Sequence, residues 1–326
     1  MTYISAVIPV FNEEESLPEL HRQFTKVCND HNYEYEIVFV DDGSTDSTWR
    51  CILDLQASDS GVKGIRFRRN FGKAAALNAG FQQANGDFVF TLDADLQDDP
   101  EEIPHFLEKL EQDDLDVISG WKKRRHDPWH KVGPSRIFNR MVSKLTKVQL
   151  HDHNCGFKCY RRDVLLEVQL YGELHRFVPV LAAARGFRVG EIIVNHRKRQ
   201  FGKSKYGVRR IVKGFLDLLT VYMLTGFGYR PQHLLGTMGL LCFGASGCIT
   251  LGLIAAWIAD RMGDLPPSFH LHERAIFYFA LFGVVIGIQL VMTGFLAELI
   301  TKNTAKDAEI YAVSETVGIS SEQKDT

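Results

Sequence analysis

Through roughly the first 125 residues, short apolar runs alternate with segments whose apolar positions return every three to four residues. Ile4–Val10 reads as a strand, and Leu17, Leu20, Phe24 and Val27 after it keep the spacing of one helix face. Glu36–Val40 is the next strand. It ends in Asp41-Asp-Gly-Ser-Thr-Asp46, rich in turn and N-cap residues, before a helix predicted to bury Trp49, Ile52, Leu53 and Leu55. Gly64–Phe67, Phe88–Leu92 and Asp116–Ser119 supply further strands. Between them lie a small-residue helix over Ala74–Gln83 and a helix opened by Pro100-Glu-Glu, with proline and acids in its first turn. Strands alternating with helices predict an α/β fold built on a doubly wound, mostly parallel sheet. Such a sheet binds ligands beyond the carboxyl ends of its strands, so the polar clusters after Val10, Val40 and Leu92 would share one edge.

The pattern then changes. From Gly120 to about Tyr206 it is less regular and richer in Arg and Lys, and Gly202-Lys-Ser-Lys-Tyr206 reads as a mobile basic loop. Arg209 to Phe227 carries Ile211, Phe215, Leu218, Leu219 and Tyr222 at helical spacing, with Arg209, Arg210 and Lys213 near its start. That is the pattern of a basic amphipathic helix, which either lies in a membrane interface or packs on the soluble domain. Leu234–Ala259 and Ala275–Ala297 follow as stretches of about 26 and about 23 residues without a charged side chain. At about 1.5 Å per residue each is long enough to cross a hydrocarbon core. The predicted organisation is a catalytic domain over residues 1–205, interface helices over 206–232, two transmembrane helices over 233–300 and a polar, disordered tail over 301–326. Arg209, Arg210, Lys213 and Arg230 precede the first span and Lys302 and Lys306 follow the second. The loop Asp260–Arg274 holds two arginines against three acids. Positive-inside bias therefore predicts a multi-pass protein of the inner (cytoplasmic) membrane with the catalytic domain and both termini cytoplasmic.

Composition narrows the partners. The formal net charge is −2, so no global basic field argues for nucleic acid. The six cysteines are scattered, with no Cys-x-x-Cys pair and no disulfide framework, which favours a reducing compartment for the soluble part. The run Ile4–Val10 is too short for a signal segment and reads as the first strand.

The candidate chemistry centres on Asp93-Ala-Asp-Leu-Gln97. At a strand end, carboxylates two residues apart would point to one side and meet one hard cation, Mg²⁺ or Mn²⁺, together with substrate phosphates. A metal-binding edge tethered to a membrane suggests transfer of a group from a soluble nucleotide donor to a lipid. Pro9-Val-Phe-Asn-Glu13, Asp41-Asp-Gly-Ser44, Asn78-Ala-Gly80 and Asp93-Ala-Asp-Leu-Gln97 resemble family 2 glycosyltransferases of the GT-A fold. His196-Arg-Lys-Arg-Gln-Phe-Gly-Lys-Ser-Lys-Tyr206 and the two terminal spans resemble its polyprenyl-phosphate branch, which includes dolichol-phosphate mannose synthase and bacterial undecaprenyl-phosphate glucosyltransferases. The resemblance covers about residues 3 to 300.

That resemblance implies roles. Pro9, Phe11, Asn12 and Glu13 would line the site of the base and ribose, and Asp41 and Asp42 would bond the base. Lys73, Asp93 and Ala94 complete the nucleotide set. Asp93 and Asp95, with Gln97 as a further ligand, would hold the cation. Asp152 matches an acidic residue near the acceptor. It would act either as a general base or as a group that positions the acceptor. The second fits better, because a lipid monophosphate with a second pKa near 6 is already largely ionised. Arg136, Arg199, Lys203 and Lys205, with Arg124 in reserve, would hold the phosphates, and Gly202 would hinge a closing loop. The implied reaction is inverting transfer of one sugar, from UDP-glucose or another UDP-hexose, to polyprenyl phosphate. GDP-mannose or a UDP-amino sugar is the alternative donor. Small-residue-rich spans suggest a homo-oligomer, with a tetramer expected. A processive polysaccharide synthase would carry Gln-x-x-Arg-Trp, but Trp49, Trp121, Trp129 and Trp257 follow Thr, Gly, Pro and Ala. Intact Asp93, Asp95, Asp152 and Arg199 argue against a non-catalytic scaffold.

Overall fold

The structure is a computed structural model that describes residues 2–123, 129–168, 174–197, 209–227, 231–263 and 270–304. It divides into two compact units, Met1–Thr225 and Gly226–Thr326.

The first unit runs β1 (Tyr3–Val10), α1 (Leu17–Asp30), β2 (Glu34–Asp41), α2 (Thr48–Ser58), β3 (Val62–Arg66), α3 (Lys73–Phe81), β4 (Phe88–Thr91), α4 (Ile103–Gln112), β5 (Val117–Trp121), α5 (Trp129–Thr146), β6 (Lys158–Arg161), α6 (Arg162–Glu167), α7 (Val178–Ala184), β7 (Val189–Ile193) and α8 (Arg209–Phe227). Seven strands form one sheet in the order β3-β2-β1-β4-β6-β5-β7. All neighbours are parallel except β6, which runs antiparallel to both β4 and β5. The strand alternation places Ile4, Ala6, Ile8, Ile37, Phe39, Phe90 and Ile118 on one face with α1, α2 and α4. Val7, Val38, Val40, Val89 and Val117 lie on the other with α3, α6 and α7. Phe24, Phe39, Phe90 and Phe106 are fully buried, each worth roughly 2–3 kcal/mol of burial. Both faces are covered, so this is the doubly wound sheet that the alternating pattern predicts.

Two details depart from the sequence reading. Leu53 is 45% exposed, because adjacent helical residues sit about 100° apart and Ile52 already occupies the inward position. The region after Gly120 also contributes two strands that periodicity did not reveal. Lys158-Cys-Tyr-Arg161 is short and charged at both ends, and Val189-Gly-Glu-Ile-Ile193 scarcely alternates.

Helix α8 buries one face in the first unit. One stripe, Gly214, Leu218 and Val221, is buried, and Leu218 and Val221 join Val142 of α5 with Leu174, Phe177 and Val180 in a separate apolar cluster. A second stripe, Phe215, Leu216 and Leu219, is exposed.

The second unit is an antiparallel pair, α9 (Pro231–Met262) and α10 (Ala275–Thr304). Both helices are long and apolar enough to cross a membrane. Glycines let them approach closely. A Cβ on Gly239 would stand 2.7 Å from the Gly287 carbonyl oxygen, and one on Gly287 would stand 2.6 Å from the Phe243 nitrogen. The expected tail, residues 301–326, lies outside the described residues beyond Thr304.

Candidate active site

Strands β1, β2, β4 and β5 all end at one edge of the sheet, and because β6 is antiparallel, the loop that precedes it returns to the same edge. Four polar segments meet there.

The first is the turn after β4. The strand stops at Thr91, so Asp93 and Asp95 do not sit on extended backbone as the two-residue spacing suggested. They open a turn in which the next residue, Leu96, buried and not a glycine, adopts a left-handed φ of 59°. Such a conformation is unfavourable for a branched side chain and is held here by burial of the leucine in the core. The turn makes the two aspartates inequivalent. Asp93 is ion-paired with the Lys73 ammonium, and its other oxygen rests against Gly156, where a Cβ would stand 2.6 Å away. Burial raises the Asp93 pKa, but Lys73, with Lys122 behind it, outweighs burial and holds the carboxyl well below the usual range. Asp95 is 7% exposed and accepts the Gln97 backbone N–H at 3.2 Å. The Gln97 amide lies 3.4 Å from the His196 ring.

No group of three His, Cys, Asp or Glu side chains among the described residues would hold a metal unaided. The donor chemistry nonetheless fits a hard cation, since Asp95 and Gln97 offer oxygens with an imidazole alongside. Mg²⁺ and Mn²⁺ sites commonly use one or two carboxylates and are completed by water and substrate phosphates.

The second and third segments are the loops after β1 and β2, which brace each other. Asn12, at a left-handed φ of 56°, donates its backbone N–H to Ser44 Oγ at 2.9 Å and accepts the Thr45 N–H at 2.9 Å. The Glu13 N–H donates to Thr48 Oγ1 at 2.9 Å. Asp41 Oδ1 accepts the Ser44 N–H at 2.8 Å, while its buried Oδ2 accepts no hydrogen bond and faces Arg66 Nε at 3.4 Å. Asp42 accepts the Phe71 and Gly72 N–H groups at 2.7 and 2.9 Å. It thereby fixes the start of α3, whose first residue is Lys73. Gly43 is required between them, as a Cβ there would stand 2.5 Å from the Arg69 carbonyl carbon. Pro9, Phe11 and Ala94 line the same strand exits. Asp42 is thus a structural anchor, and Asp41 is the member of the pair with an acceptor to spare.

The fourth segment is the loop 147–157. Asp152 is 2% exposed, and its Oδ1 accepts the Asn154 N–H at 3.2 Å. Beneath it lie charged residues that the sequence reading missed. Lys158 is buried and donates to the Cys155 carbonyl. Burial pushes its pKa down, and Lys73 adds to that effect while Cys155, Asp152 and Asp93 oppose it. Lys122 pairs with the buried Asp98 at 2.8 Å. Nothing in local spacing distinguishes these lysines from surface lysines; only the pairing of β6 with β4 brings Lys158 opposite Thr91.

Arg136 lies on α5 with its side chain exposed. Arg124, Arg199, Gly202, Lys203 and Lys205 lie outside the described residues. The chain just before Arg199 is tied to the turn after β4. Asp98 and His196 form a β-bridge, the Arg197 N–H donates to the Gln97 carbonyl at 3.0 Å, and the Arg197 guanidinium pairs with Asp99 at 2.5 Å.

Comparison with known proteins identifies the family. The sequence pattern of glycosyl transferase family 2 matches residues 5–168. A dodecaprenyl-phosphate galacturonate synthase of Rhizobium johnstonii is 34% identical over 314 residues, covering 93% of this chain and 89% of that protein. An undecaprenyl-phosphate 4-deoxy-4-formamido-L-arabinose transferase of Pseudomonas fluorescens is 38% identical over 299 residues, covering 90% and 83%. In fold, the chain is similar to glucosyl-3-phosphoglycerate synthase from Mycobacterium tuberculosis in complex with Mn²⁺ and uridine-diphosphate-glucose. The TM-score is 0.53 at 15% identity, over 69% of this chain and 79% of that one. A mixed GT-A-like sheet, a strained Asp-x-Asp turn at its edge and two long apolar helices accompany close sequence kinship along nearly the whole chain: it belongs to the family 2 glycosyltransferases, in the branch that transfers sugars to polyprenyl phosphate.

Proposed function

We propose that the protein moves one sugar, with inversion, from a UDP-linked donor to undecaprenyl phosphate at the cytoplasmic membrane face. The observation that carries this reading is the convergence of the β1, β2 and β4 exits and the Asp152 loop at one sheet edge. In it, Asp41 and Asp42 stand at the exit of β2, where the base would lie, with Pro9, Phe11, Asn12 and Glu13 at the exit of the neighbouring β1. Asp95 and Gln97 hold the cation, with Asp93 at its side through Lys73. When bound, the cation supplies Lewis-acid stabilisation of the leaving diphosphate. Asp152 orients the acceptor, whose phosphate needs no base. Arg136, Arg199, Lys203 and Lys205, with Arg124, neutralise the phosphates; Arg197, bonded beside Gln97, brings the chain to within two residues of Arg199. The sequence reading leans to UDP-glucose. The sugars named for the relatives, a formamido-arabinose and a galacturonate, make a modified UDP-sugar the better lead.

The test is transfer to undecaprenyl phosphate by purified protein with Mn²⁺. The radiolabelled donors are UDP-4-deoxy-4-formamido-L-arabinose, UDP-galacturonate, UDP-glucose and GDP-mannose. One UDP-sugar is expected to give a chloroform-soluble product that EDTA abolishes and that Asp95→Ala reduces by about 100-fold. Product from GDP-mannose alone, or from no donor while UDP still binds, would overturn the reading.

A further inference from the structure

The loop that carries Asp152 is held from both sides by residues that the reaction does not otherwise need. On one side stands α5. Asn139 donates its amide N–H to the His151 carbonyl at 2.9 Å and accepts the Asn154 amide N–H at 3.2 Å. Ser143, one turn further, donates to the Leu150 carbonyl at 3.1 Å and meets His153 Nε2 at 3.0 Å. On the other side, Glu191 of β7 accepts the His151 backbone N–H at 2.7 Å and also pairs with its ring, which stacks on Trp121 at 4.0 Å. Residues 150, 151, 153 and 154 are therefore all anchored, and Asp152 is the residue between them. Asn139 and Ser143 are buried, and their side chains are spent on hydrogen bonds to the loop. Arg136, Asn139 and Ser143 also follow an i, i+3, i+7 spacing, so α5 carries the phosphate-binding candidate and the loop anchors on one stripe.

We infer that Asn139, supported by Ser143 and Glu191, is a positioning residue that sets where the Asp152 carboxylate stands relative to the acceptor phosphate. The inference rests on the reading of Asp152 as an acceptor-side group. Asn139 touches no substrate; it removes freedom from the loop before the acceptor arrives. A misplaced reacting group can cost on the order of 100-fold in rate without loss of binding elsewhere.

The experiment is a double-mutant cycle on the full chain in nanodiscs, using undecaprenyl phosphate and the donor that gives product in the panel above. Asn139→Ala is expected to lower kcat by about 10- to 100-fold. The donor KM and UDP binding should stay within about twofold, because Asn139 bonds to His151 and Asn154 and not to the base or Asp-x-Asp segments. Asn139→Ala added to Asp152→Ala should cost little more than Asp152→Ala alone, since one residue acts through the other. Glu191→Gln, which leaves the buried Asn139 in place, should repeat that pattern more mildly if Asn139→Ala does not fold. Independent, multiplying losses, or a wild-type kcat in both anchor variants, would overturn the positioning role. Asp152→Ala at wild-type rate would instead overturn the reading of Asp152 on which it rests.

Discussion

His153 shows how much a single buried side chain can commit. It is fully buried, with Ser143 against Nε2 and no hydrogen bond at Nδ1. Burial, reinforced by the Lys158 ammonium, pushes its pKa down from 6.5 to about 4. The folded protein thus keeps the ring neutral where the unfolded chain would protonate it. Between about pH 6.5 and pH 4 the unfolded state binds the extra proton, so stability falls as the pH falls through that window and is unaffected by this group above it. The difference corresponds to at most about 3 kcal/mol, a large share of a typical 5–15 kcal/mol total. Chemical denaturation at pH 7.5 and pH 5 should show this loss in the wild type, and His153→Gln should flatten it. An equally steep acid loss in the variant would assign the effect to other groups. The residue scale is also where sequence reading reached its limit. Asp-x-Asp spacing selects Asp93 and Asp95 but not their division of labour. That division depends on Lys73, 20 residues away, and on the left-handed Leu96.

At the scale of elements, most of the first unit is legible because strands β1, β2 and β4 are apolar on both faces and α1 repeats its apolar positions cleanly. What was not legible is long-range. Strand β6 becomes a strand only by pairing between β4 and β5, and α5 earns its place by holding a loop that begins after its own end. The two long apolar helices were legible, but not which of their glycines matter. The structure separates them: Gly239 and Gly287 have no room for a Cβ, whereas Gly244 meets nothing within 4 Å. Gly239→Leu or Gly287→Leu should therefore destabilise the helix pair by roughly 1–3 kcal/mol, while Gly244→Leu should be nearly neutral. Unfolding of the full-length protein in mixed micelles with increasing SDS measures this. Equal shifts for Gly239 and Gly244 would mean that the close approach contributes nothing to the pair.

At the scale of the whole molecule, the decisive quantity is the sidedness of α9 and α10. The helices form an antiparallel pair, so the start of α9 and the end of α10 share one membrane face if both span. The proposed topology puts the sequence that precedes α9 on the cytoplasmic side. Arg209, Arg210, Lys213 and Arg230 precede α9, and Lys302 and Lys306 come at and after the end of α10, whereas the stretch Asp260–Arg274 between the spans sets Arg261 and Arg274 against Asp260, Asp264 and Glu273. Basic residues close to a span are retained in the cytoplasm, and acids in the loop do not cancel that preference. The proposed reaction fits the same orientation, because a charged nucleotide donor cannot cross the hydrocarbon core unaided, whereas the lipid acceptor can present its phosphate at the interface. The exposed Phe215, Leu216 and Leu219 stripe of α8 suits that interface. Alkaline phosphatase, which folds only in an oxidising compartment, should therefore be active when fused after Met262 and inactive when fused after Thr304. A green fluorescent protein at the same two points should report the reverse. Activity at Thr304 with none at Met262 would invert the topology and place Asp93 and Asp95 on the wrong side of the membrane for a nucleotide donor. Activity at both points would mean that α10 does not span.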